Sequence, residues 1–258
     1  MRPFSIFLLA GLFGLLHCTR EPATADSRSE LTLPAVTFTP DHRYLAADGG
    51  AELLIGVDAY EERFPSVAFA QLIERLQANG GNYLRINPLY LDSAEVVQSL
   101  ATVISRGMVV DTASVAPLAS VSRSVVGFNR KLLAGEGRVA YGNFSQAALN
   151  GLRAVRTVER HLPLSTVEAR DDILGGDNPT GATAAADAAG NFLIYIPSEG
   201  QVTINLPDSS RQPRRRVTVV GHLGTQRSEI LRPPYSKALT LLSNEAKGGW
   251  MIIERLVD

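Results

Sequence analysis

The chain has 258 residues, with 25 basic and 26 acidic side chains and a net charge of −1. Such a balance sets up no strong field toward nucleic acid or an acidic lipid surface. Apolar residues make up 45% of the chain, enough for a sizeable core in one large domain or two small ones.

Arg2 is followed by a charge-free run from Phe4 to Leu16. The run has the length of the apolar region of an export signal and falls short of the roughly 20 residues that span a bilayer. Cys18, the only cysteine, comes directly after it, and a lone thiol in an exported protein has no disulfide partner. The arrangement resembles the lipobox of bacterial lipoproteins: Leu15 fits the pattern, and His17 stands where a small residue is usual. The resemblance implies that residues 1–18 are a signal peptide with a lipidated Cys18. The protein would then be exported and held to a membrane on the periplasmic or outer cell surface. Ordinary cleaved export or a retained anchor is the alternative. Residues 19–32 are polar and poor in aromatics, as in a flexible tether.

Tyr44 to Glu52 reads as a hairpin turning at Asp48-Gly49-Gly50. Leu53 to Asp58 reads as a buried strand. In Ser66 to Ala78, Phe69, Leu72, Ile73 and Leu76 fall on one helical face, and Asn79-Gly80-Gly81 stops the helix. Asn82 to Asn87 is a second strand. Asp92 to Glu95 has the form of a capping box, and Val96, Val97, Leu100, Val103 and Ile104 continue a helical stripe. Met108 to Asp111 is a third strand. This alternation predicts a parallel sheet. Val125, Phe128 and Leu132 suit a helix within Val115 to Leu133, and Arg138 to Gly142 is a fourth strand. Ser145 to Leu162 is a helix with Ala148, Leu152, Val155 and Leu162 inward, ended by Pro163.

Beyond Pro163 the period becomes strand-like. Strands are expected at 182–187, 192–196, 202–206, 216–220, 239–242 and 250–256, divided by turn chemistry such as Ala189-Gly190-Asn191 and Lys247-Gly248-Gly249. The spacing predicts an antiparallel β-sandwich over 166–258, with Trp250 in its core. The expected fold class is therefore α/β plus all-β.

GNFLIYIP at 190–197, QVTINLP at 201–207 and GGWMIIERL at 248–256 resemble the β-sandwich known as a collagen-binding domain. In bacterial proteins that domain follows a glycoside-hydrolase-like (β/α)8 barrel. RYLAADGGAELLIGVDAY, LIERLQANGGNYLRI, KLLAGEGRVAYGNF and LRAVRTVERHLPL resemble, in order, successive parts of that barrel. A complete barrel takes about 250 residues, whereas residues 33–165 have room for about four units of ~30 residues each. The expectation is an incomplete barrel, running from its third strand almost directly to its eighth. In such glycosidases the acid/base and the nucleophile lie at the ends of the fourth and seventh strands. Both would then be absent, and no catalytic residue is carried over.

Barrels gather ligand-binding groups at the C-terminal ends of their strands. The candidates there are Asp58, Tyr60, Asn87, Tyr90, Asp111, Tyr141 and Asn143. Tyrosines stack on sugar faces and carboxylates bind hydroxyls, but both aspartates also suit turns or caps on an exposed rim. Arg85 suits a structural ion pair with Asp58. His17, His42, His161 and His222 lack metal-site spacing, and no cofactor is expected. Arg211, Arg214, Arg215 and Arg216 suit a solvated hairpin tip, and no nucleic-acid partner is expected. The favoured reading is a non-catalytic protein binding carbohydrate or extracellular matrix. A residual glycoside hydrolase and a shortened gene product without independent function are the alternatives. Four parallel strands cannot close a barrel, so an open edge is also expected, with the sheet either self-associating through it or leaning on the sandwich through the Ser145–Leu162 helix.

Overall fold

The computed structural model describes residues 38–39, 43–47, 50–63, 66–87, 102, 104, 107–112, 118–176, 178, 180–207 and 212–256. Cys18, the tether, Tyr90 and the capping box at Asp92 lie outside these residues.

The hairpin is β1 (Leu45–Ala47) with β2 (Gly50–Glu52), paired Leu45 to Glu52. A parallel sheet follows, of β3 (Leu54–Asp58), β4 (Tyr83–Arg85), β5 (Val109–Asp111), β6 (Ser120–Ser122) and β7 (Arg138–Tyr141). Its order is β5-β4-β3-β7-β6, so the sheet is open, with β5 and β6 at its edges. β3, at five residues the longest of the five, is central and is apolar and buried as a strand covered on both faces must be. Gly56 is required within it: a Cβ there would stand 1.7 Å from the Tyr83 carbonyl oxygen.

The five-stranded sheet corrects the expectation of four strands. β6 pairs on the far side of β7, the place of the seventh strand in a barrel whose eighth is β7. It escaped notice because Ser-Val-Ser carries no hydrophobic pattern; only pairing with Val139, Ala140 and Tyr141 makes it a strand. Residues 112–119, between β5 and β6, are too few for a strand–helix–strand crossover, which needs about 10–12 residues. The middle of a barrel is thus left out, and the sheet is a partial barrel.

Among the described residues, three α-helices flank these strands: α1 (Ser66–Ala78), α2 (Val125–Leu133) and α3 (Gln146–Glu159). α2 carries the expected Val125, Phe128 and Leu132 and starts where Ser124 caps it, accepting from Gly127 N at 3.0 Å. Ser145 caps α3 in the same way through Ala148 N. α1 ends where Gly80 turns to φ +83°, and Arg156 of α3 donates to the carbonyls of Gly80 and Leu53 at 2.7 and 3.0 Å.

Strand alternation sends the two faces of the parallel sheet to different cores. Ile55, Val57, Leu84, Val139 and Tyr141 meet the helices. Leu54, Tyr83 and Ala140 lie on the other face, covered by Leu45, Ala119 and flanking Phe38 and Leu118. The N-terminal hairpin thus shields a face that a closed barrel would keep inside. It is tied down by Tyr44, whose hydroxyl donates to the Leu164 carbonyl at 2.9 Å.

The remaining strands are antiparallel: β8 (Val167–Ala169), β9 (Leu174–Gly175), β10 (Thr183–Asp187), β11 (Phe192–Ile196), β12 (Gly200–Asn205), β13 (Arg215–Gly221), β14 (Gln226–Leu231), β15 (Ala238–Ser243) and β16 (Gly249–Arg255). They form a six-stranded sheet, β14-β13-β16-β11-β10-β8, and a three-stranded one, β15-β12-β9. One apolar cluster takes Phe192, Ile194, Met251 and Ile253 from the first and Val202 and Ile204 from the second. β8, β9 and β14 were not foreseen; β14 is an exposed, polar edge strand, QRSEIL, with no apolar face to read.

The other face of the six-stranded sheet carries Ala185, Leu193, Tyr195, Val220, Trp250 and Ile252, and it joins the helical core of the parallel sheet. Trp250 therefore packs toward the helices, tilted on Tyr195 at 4.9 Å, and not between the two antiparallel sheets. Met251 and Ile253 occupy that other side because strand neighbours point oppositely. Arg215 likewise departs from the solvated-tip expectation: it is buried, donates to Gly190 O at 2.9 Å and lies over the Phe192 ring.

Candidate functional site at the strand ends

In register across the C-terminal end of the parallel sheet stand Asp58, Arg85 and Asp111, the last residues of β3, β4 and β5. The expected ion pair is present: Arg85 Nη1 donates to Asp58 Oδ2 at 2.9 Å, with each side chain 12% exposed. Asp58 Oδ1 accepts from Tyr60 N at 3.1 Å, and the guanidinium lies 4.3 Å from the centre of the Tyr60 ring. Arg85 is thereby held on two sides, by charge and by an aromatic face.

Asp111 is buried and also occupied. Its Oδ2 accepts from the Tyr83 hydroxyl at 2.9 Å and from Leu118 N at 2.8 Å. Burial pushes the Tyr83 phenol well above its ordinary pKa, and the neighbouring Asp111 charge pushes it further, so the hydroxyl keeps its proton and remains a donor. Tyr83, two residues before Arg85 and on the same face, had no signal in sequence beyond strand alternation.

At β6, the strand in the seventh barrel position, the sequence is Ser122-Arg123-Ser124. Ser122 donates to Ser124 O, and Ser124 caps α2. The two serines start a helix, and no carboxylate ends this strand.

Among the remaining candidates, Tyr60 and Asn87 are half-buried and Asn143 is exposed. Tyr141 is elsewhere: its ring stacks on Phe128 at 4.0 Å, among the helices and away from the rim. The structure therefore gathers Asp58, Tyr60 and Arg85 into one cluster with Asp111 beside it, and separates Tyr141 from them.

Solved structures share this fold, among them two glycoside hydrolases. One is a glycoside hydrolase family 5 protein from Bacteroides vulgatus, at TM-score 0.59 and 9% identity, over 85% of this chain and 93% of that one. The other, described as a glycoside hydrolase, matches at TM-score 0.57 and 7% identity, over 85% of this chain and 96% of that one. At such identities the likeness is one of fold: the chain has a glycoside-hydrolase-like fold with a parallel sheet. No protein-family model and no curated protein matches the sequence.

Proposed function

We propose that this is an exported lipoprotein, anchored through Cys18, whose glycoside-hydrolase-like portion binds carbohydrate or matrix without hydrolysing it. The observation that carries this reading is the commitment of both strand-end aspartates: Asp58 to Arg85, and Asp111 to Tyr83 and Leu118 N. Glycoside hydrolysis uses two carboxyls about 5–10 Å apart, one a proton donor and the other a base or nucleophile. A carboxylate clamped by a guanidinium, and another filled by two donors, serve structure better than either role. The fold likeness supports a sugar as the ligand, and Tyr60, Asn87 and Asn143 remain as rim contacts for it. In the same reading, residues 166–258 are a β-sandwich of the collagen-binding type.

Two measurements test this. Labelled palmitate should enter the wild type and not Cys18→Ser; equal labelling of both, or of neither, removes the anchor. Co-sedimentation of the full-length protein with insoluble cellulose, xylan and collagen fibrils should retain it on at least one. Retention on none removes the binding role.

A further inference from the structure

A second polar cluster lies away from the strand ends, at the seam between the helices and the six-stranded sheet. A pocket of about 190 Å³ opens there, walled by Asn129 of α2, Asn150 and Gly151 of α3, Tyr195 of β11 and Trp250 of β16. Asn129 is 2% exposed and Tyr195 1%. Asn129 Oδ1 and the Tyr195 hydroxyl are both buried without a hydrogen-bond partner. A third such hydroxyl, that of Tyr141, stands behind Gly151, where a Cβ would come within 2.0 Å of it. Folded proteins pair nearly all their buried polar atoms; Asn129 and Tyr195 lie near enough to interact with each other alone, and Tyr141 has no partner, so the cluster calls for an explanation.

Tyr195 links the other two, interacting with Asn129 on one side and Tyr141 on the other; the Arg130 charge also reaches it, but Arg130 donates to the Gly181 carbonyl at 2.9 Å and is not part of the pocket wall. Burial raises the Tyr195 pKa while the Asn129 amide pulls it down, and the rise at Tyr141 comes from burial and then from Tyr195. Little charge is offered to a ligand. His222 on the wall is turned to Glu245 at 3.2 Å, Gln146 and Asn150 bond each other at 3.0 Å, and Lys247 stands exposed at the mouth. The deep part presents an amide and phenolic hydroxyls beside an indole. Amides and phenols both give and accept hydrogen bonds, and an indole face packs on C–H groups. That set suits a molecule rich in hydroxyls and free of charge.

We propose that this pocket binds one neutral, polyhydroxylated ring, the size of a single sugar unit, through Asn129, Tyr195 and Trp250. The proposal rests on the carbohydrate-binding reading above and moves the principal contact from the strand ends to the seam. The orphan oxygens are sealed from the surface, so the pocket wall must part to admit the ring.

Trp250 is the only tryptophan in the chain, so its fluorescence reports on the pocket alone. The full-length protein is titrated with glucose, galactose and xylose, and with phosphate as a charged probe. The expected result is a saturable change in emission with at least one neutral sugar and none with phosphate. Asn129→Leu and Ala147→Phe, the second at the exposed mouth, should each weaken it at least about tenfold, the loss of one good hydrogen bond or its equivalent. Tyr195→Phe should weaken binding too while leaving the melting temperature unchanged or higher, since it deletes an unpaired hydroxyl. A saturable change that Ala147→Phe and Asn129→Leu leave untouched overturns the proposal. So does the lack of one with any neutral sugar, or a response to phosphate alone. Retention on insoluble polysaccharide that all three variants preserve sinks this pocket and spares the wider reading. Saturable monosaccharide binding without retention does the reverse.

Discussion

Arg85 and Asp58, partners in register on adjacent parallel strands, hold each other at 2.9 Å across the end of the sheet. Both are largely buried, and Arg85 also covers the Tyr60 ring. Breaking such a pair leaves one charge poorly solvated. Asp58→Asn should therefore cost about 1–3 kcal/mol of stability, less than for a fully enclosed pair because some solvent reaches both groups. Chemical denaturation measures it; an unchanged midpoint would show that the pair is incidental.

Gly151 sits inside α3, where glycine costs about 1 kcal/mol relative to alanine. Its place is explained by the Tyr141 hydroxyl, 2.0 Å from where a Cβ would be. Gly151→Ala should thus destabilise by roughly 1–3 kcal/mol, against helix propensity, through overpacking. Adding Tyr141→Phe should recover part of the loss, since the ring carbon that bore the hydroxyl would still stand 2.9 Å from the new methyl. A Gly151→Ala protein that melts higher than wild type would refute the close approach.

Glu159 at the end of α3 has its pKa raised, first by burial, with the Arg156 guanidinium pulling it back. Folding therefore disfavours its charged form. Its contribution is fully present below the unfolded carboxylate pKa of about 4.3 and is lost as pH rises through the higher folded value. Glu159→Gln should be at least as stable as wild type at neutral pH, with the difference vanishing in acid. Melting curves across that range decide it; a wild-type advantage that grows with pH would show that Arg156 dominates.

The division at 165/166 makes a prediction tempered by the shared core. Trp250, Tyr195 and Ile252 face the helices, so an isolated 166–258 fragment would expose them. Circular dichroism should show strand and a cooperative melt, below that of the whole chain, and sedimentation should show self-association through the bared face. A disordered spectrum would place the boundary elsewhere.

The parts legible in sequence were those with a periodic apolar face. α1 follows the stripe of Phe69, Leu72, Ile73 and Leu76, and β11 its run FLIYI. Strands defined by pairing alone, such as Ser120–Ser122 and Gln226–Leu231, carry no such pattern. At the site, the Asp58–Arg85 pair followed from strand ends and opposite charge, whereas the Tyr83–Asp111 bond depends on two strands meeting in register. The face of Trp250 was misjudged because both sides of β16 are apolar, and only the packing of α2 and α3 tells them apart.

The central claim is that the strand ends do not cleave glycosides, and its most direct test is turnover. Purified full-length protein, with Asp58→Asn and Asp111→Asn beside it, is incubated with aryl glycosides and soluble polysaccharides, and released product is measured. The account predicts none above buffer from any of the three. Hydrolysis by the wild type that either substitution abolishes would contradict it.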